Sequence, residues 1–192
     1  GWIGFAVVQG LFLVSAVVAL VILLIGPRTR LHTVVSGLQQ HPGSALGFGF
    51  LGMVFGHGTL VVITVVLVIT VIGIPLAVLL LLTLGLLGIT ALTIVSLVIG
   101  RGFCALLKLP CAHDWATGLA GLLVLHAPNF FASLIGAVSG GESSLAAVFA
   151  VLGCAVLFFA YLFGLGALLQ TRFGLRSPDA AERLPAESVP AA

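Results

Sequence analysis

The chain has 192 residues, of which 61% are hydrophobic and only 6% charged, against roughly 25% charged residues in soluble globular domains. So few charges cannot cover a water-facing surface, which makes lipid the solvent and excludes an ordinary soluble domain. The net charge of +2 is too small for a nucleic-acid surface, and no nucleic-acid partner is expected.

The first apolar run spans about 2–25 and stops at Gly26-Pro27-Arg28, a breaker followed by charge. It lacks a basic leader and a small-residue cleavage site, so it reads as a retained span rather than a signal peptide. The chain opens on Gly1 instead of Met, which leads us to expect processing or a longer parent. Residues 29–41 place Leu31, Val34, Val35 and Leu38 at i, i+3, i+4 and i+7, with Arg30, Thr33, Gln39 and Gln40 off that stripe. This predicts an amphipathic helix, too short to span, lying in the membrane interface.

A second span is predicted over about 44–72, longer than the roughly 20 residues a crossing needs. It is read as one tilted helix, or as two pieces joined near Gly56-His57-Gly58. Gly73 and Pro75 mark a tight hairpin turn, and a third span follows over 75–99. Arg101 to Trp115 reads as the longest polar connection. The fourth span, 116–138, carries an interruption at His126-Ala127-Pro128-Asn129, and the fifth covers 145–169. Residues 1–176 then form one integral-membrane domain, and 177–192, rich in Pro, Ala and Glu, a disordered cytoplasmic tail. The fold class is all-α: a polytopic bundle of about five transmembrane helices plus one interfacial helix.

Positive loops stay on the cytoplasmic side. With five spans, the regions after the first, third and fifth share one side and hold Arg28 and Arg30, Arg101 and Lys108, then Arg172, Arg176 and Arg183. These are all seven basic residues of the chain. The expected topology is N-terminus outside, C-terminus cytoplasmic. Splitting the second stretch into two spans would break this agreement. Trp2 and Trp115 suit interfacial anchors at helix ends.

Ile72-Gly73-Ile74-Pro75-Leu76-Ala77, the Leu-rich span ending Ile99-Gly100-Arg101, and the closing series from Gly164 through Gly166 and Arg172 to Gly174 resemble the membrane domain that follows bactofilin-like, polymer-forming regions in bacterial envelope proteins. The Gly-Pro-Arg break, the amphipathic segment and His41-Pro42-Gly43-Ser44-Ala45-Leu46-Gly47 fit the same pattern, so the resemblance covers about 26–174. It implies a bacterial inner membrane, an exported upstream region and a role in assembly. It supplies no catalytic residues.

Two histidines fall inside spans. His57 lies roughly 20 Å beyond Ser44 and His126 roughly 15 Å beyond Ala116, at similar depth, so they would meet if their helices were neighbours. Ionisable groups in a bilayer are costly and point to function. An imidazole pair can hold a metal or tetrapyrrole, or relay protons, and His57 and His126 are the candidate cofactor-binding residues. The plainer reading is a histidine hydrogen-bonded to a neighbouring helix, or to Asn129. Ala45, Gly49, Gly52 and Gly56 share one helical face and predict close helix packing, within the chain or against another subunit.

Cys104, Cys111, His113 and Asp114 have the chemistry of zinc ligands, but their spacing lacks a short paired CxxC unit, and no metal is predicted. Cys154, inside an apolar run, reads as a small packed hydrophobe. Glu142 reads as a solvated loop charge. The predicted spans contain no Asp, Glu, Lys or Arg, which argues against ion-coupled transport. No P-loop, GxSxG or HExxH motif occurs. The sequence therefore favours a non-enzymatic anchor or assembly subunit, with the lipid bilayer, bound lipid and other membrane subunits as partners. A cofactor-binding accessory subunit of an electron-transfer or photosynthetic complex, through His57 and His126, is the alternative. A passive channel or facilitator is the second.

Overall fold

Apolar runs of this length satisfy their backbone polar groups in lipid only as helices, and helices are what the chain forms. The computed structural model describes residues 2–70, 73–108, 113–140 and 143–175. Among the described residues there are six helices: α1 (Trp2–Ile25), α2 (Arg28–Gln40), α3 (Pro42–Ile69), α4 (Gly73–Leu106), α5 (Asp114–Val138) and α6 (Ser144–Gln170). All but α2 are long and apolar enough to cross a membrane. The tail predicted from 177 onward, Cys111 and Glu142 lie outside the described residues.

Three boundaries differ from the sequence reading. The third span is longer than 75–99. It begins at Gly73 and runs through Gly100 and Arg101 to Leu106, so the first part of the expected polar connection is helix. Gly100 does not end the helix because it serves a crossing: a Cβ there would fall on the Thr117 carbonyl. Pro75 is the third residue of α4 rather than its first, still within the turn where a missing N–H costs nothing. The expected interruption at 126–129 is absent. α5 is continuous from Asp114 to Val138 with Pro128 inside it, and the missing Pro128 N–H removes only one backbone bond of the helix.

The second stretch is one helix with a defect. Gly52–His57 is a π-helical turn within α3, the kind of one-residue excess that collects at functional positions. Gly73 closes the hairpin to α4, buried against the Leu67 carbonyl and Thr70.

The apolar stripe of α2 is turned into the protein rather than into lipid. Val34, Val35 and Leu38 are buried in the same core as Leu23 of α1, Ala45 of α3, Ile94 of α4, Leu125 of α5 and Leu165 of α6, with Leu31 packed at its edge. A short helix that closes the end of a bundle buries more on protein than on headgroups. The core gathers at this end. Between Gly58 and Ile69 of α3 no residue is buried, and α4 has none between Ala77 and Ala91.

Without a hydrophobic drive between helices in lipid, close backbone contact supplies the attraction. Three crossings use it. Gly166 of α6 meets the Ala45 carbonyl of α3, and Gly49 meets that of Leu162. Gly121 of α5 meets the Ser96 carbonyl of α4, and Gly164 of α6 meets that of Ala91. Of the predicted small-residue face, Ala45, Gly49 and Gly52 pack on α6, Gly52 against the Leu169 side chain. Gly56 leaves the face, with open space where a side chain would stand, because the π turn rotates it away.

Candidate functional site

Interior hydroxyls are absorbed by the helices that carry them. Thr93 donates to the Ile89 carbonyl, Ser96 to that of Thr93 and Thr171 to that of Ala167. Such back-bonding removes these groups from any site chemistry. Among the described residues three further polar places stand out, besides the Gln170 side-chain oxygen at the end of α6, which is buried with no partner.

The first is His57, the last residue of the π turn. Its Nε2 and the hydroxyl of Tyr161, on α6, share a hydrogen bond of 2.8 Å, with the two rings edge to face. The His57 Nδ1 is buried with no partner among the described residues. Gly56 and Gly58 flank it with nothing within 4 Å of a would-be Cβ. The plainer expectation, a histidine bonded to a neighbouring helix, describes this contact. Sequence reasoning did not find Tyr161, although it is the single tyrosine of the chain and so the only phenol available.

The second is His126, on α5. Its Nδ1 lies 3.1 Å from the carbonyl oxygen of Leu122, one turn back on the same helix. A carbonyl only accepts, so the proton is on Nδ1 and Nε2 carries the lone pair. The ring packs on Phe12 of α1 at 4.7 Å between centroids. It borders a cavity of about 280 Å³ between α1 and α5, which Asn129 and Gln9 also line. Gln9 is held in turn, donating to Ser133 at 3.1 Å.

His57 thus faces α6 while His126 faces α1. The two rings have different neighbours and do not form one bidentate site. Among the described residues no group of three or more His, Cys, Asp or Glu side chains is placed to hold a metal. Cys104 is buried in the last turns of α4, and Cys154 is exposed on α6, toward the surrounding medium rather than packed.

The third place is the end of the bundle closed by α2. The Arg101 guanidinium donates to His32 Nδ1 at 3.3 Å and lies 3.5 Å from Asp114. His32 Nε2 completes the triangle, 3.3 Å from the other Asp114 oxygen. One residue each from α2, α4 and α5 is therefore tied together. At the same end the left-handed turn Arg172-Phe173-Gly174, with φ of 47°, 59° and 76°, folds back so that Gly174 abuts Arg30. Arg30, Arg101 and Arg172, one from each basic region identified in the sequence, lie at this same end.

Fold and polar inventory together define a multi-pass helical membrane protein. Compared with known proteins, the chain matches no family model, no curated protein and no solved structure.

Proposed function

We propose that the chain is a non-enzymatic anchor or assembly subunit of a bacterial inner-membrane complex, with its N-terminus outside and its C-terminus cytoplasmic. The observation that carries this reading is the uneven packing of the hairpin made by α3 and α4. Its cytoplasmic half is locked into the core through Gly49 and Ala91, whereas its outer half, Gly58 to Ile69 and the first turns of α4, packs chiefly on itself. Val62, Val65, Val66, Leu79, Leu82 and Leu86 stand on its outside. An apolar two-helix arm of this kind presents a lateral surface to a second membrane protein.

The orientation rests on Arg28, Arg30, Arg101, Lys108 and Arg172, which the positive-inside rule assigns to the cytoplasm. An assembly role is also what the resemblance to bactofilin-associated membrane domains implies; Gly73, Gly164 and Gly166, which lie in its motifs, act in a turn and in helix crossings. Purification in mild detergent from native expression, with subunit identification, tests the proposal. A stoichiometric complex that dissociates on Val62→Ser with Val66→Ser is the expected result. A lone protein would sink it. A bound chromophore lost on His57→Ala would favour the cofactor-binding alternative, and flux through liposomes the channel.

A further inference from the structure

We propose that the cavity between α1 and α5 is a binding site for a neutral aromatic molecule bearing a hydroxyl group, held by a hydrogen bond to Nε2 of His126. The hydrogen bond from Nδ1 to Leu122 fixes the tautomer, so the free nitrogen can only accept. That nitrogen is turned away from its own backbone. No described residue bonds to it, and it is not among the buried unpaired atoms, so it is open to a visitor.

The walls select the rest of the ligand. Val8, Phe12, Leu123, Phe130 and Phe131 surround the histidine, and Phe130 stands edge to face with both Phe5 and Phe131. Aromatic walls favour a ring, offered edge or face. No charged side chain lines the cavity, and it lies within the apolar span, so the ligand arrives neutral and from the membrane. At about 280 Å³ it sits at the lower edge of the roughly 300–1,000 Å³ of ligand pockets, which admits one substituted ring and excludes a tetrapyrrole.

Thymol and thymol methyl ether provide the test, since they share the ring and differ in the donor. The full chain, labelled with nitrogen-15 at its histidines, is titrated with each in phosphatidylcholine nanodiscs. Saturable thymol binding that moves the His126 Nε2 resonance is expected, with the ether about tenfold weaker, the size of one good hydrogen bond. His126→Phe is expected to bind both equally, and Val8→Trp, which fills the cavity, neither. Thymol uptake no greater than that of empty nanodiscs, equal binding of the two probes by the parent chain, or a preference surviving His126→Phe would each overturn the site. Should His126→Phe fail to fold, the comparison of the two probes on the parent chain, read at Nε2, decides alone.

Discussion

At Gly166 the carbonyl of Ala45 occupies the place a Cβ would need, and at Gly121 the carbonyl of Ser96 does the same. Backbone cannot move aside as a flexible side chain can. Gly166→Val is expected to lower stability by about 1–3 kcal/mol or more, the usual cost of overpacking, read as a lower thermal midpoint in detergent. Gly85, in the half of α4 nearer Gly73 and with nothing within 4 Å, makes the control: Gly85→Ala should lose nothing. The His57–Tyr161 bond is a second residue-scale case. Each partner removed alone leaves the other unpaired, so the informative quantity is the coupling from a double-mutant cycle of Tyr161→Phe and His57→Leu. Interhelical hydrogen bonds in membranes average about 0.6 kcal/mol and reach about 1.7. A coupling near the upper value is expected at a 2.8 Å bond, and a coupling of zero would show that the bond contributes nothing.

Among the elements, α2 separates what a pattern can tell from what it cannot. Its stripe of Leu31, Val34, Val35 and Leu38 was legible because a period of 3.6 needs no knowledge of the partner. Which surface the stripe meets was not legible, since lipid and a protein core ask for the same residues. Leu38→Ala is expected to cost about 2–5 kcal/mol, as in a protein core. Leu24→Ala, on the exposed flank of α1, should cost little, and thermal unfolding of the two variants compares them. The spans themselves were legible from hydropathy, but their ends were less so. Gly100-Arg101-Gly102 resembles a stop signal. The helix continues because Gly100 hosts a crossing and Arg101 finds Asp114, facts that depend on residues a loop away. Of the candidate site, His57 and His126 announced themselves as rare ionisable groups in apolar runs. Their partners did not: Tyr161 lies 104 positions from His57, and no local spacing encodes such a pairing. Gly56 looked like a packing residue because an α-helical count puts it on the same face as Gly52, and the π turn breaks that count.

For the molecule as a whole, charge sets orientation and length sets fit. Lone cysteines at Arg28→Cys and Ser139→Cys mark opposite ends of the bundle. With a membrane-impermeant maleimide, Ser139→Cys should label in intact spheroplasts and Arg28→Cys only in inside-out vesicles. The reverse pattern would invert the proposed topology. The helices also disagree about how thick a membrane they want. The 24 residues of α1 rise about 36 Å, whereas the 34 of α4 rise about 51 Å, against a hydrocarbon core of about 30 Å. Two such helices cannot stand at one common angle. Arg101 holds the charged end of α4 beside His32 and Asp114, so on the proposed topology the apolar length from Gly73 to Gly100, about 42 Å at 1.5 Å per residue, leaves its excess on the outer side. On that topology this stretch leans, or draws the outer leaflet up around itself. Each ångström of that mismatch carries a fraction of a kcal/mol, so the surrounding lipid is strained unevenly, and neighbours that share the same long span would relieve the strain by gathering beside it.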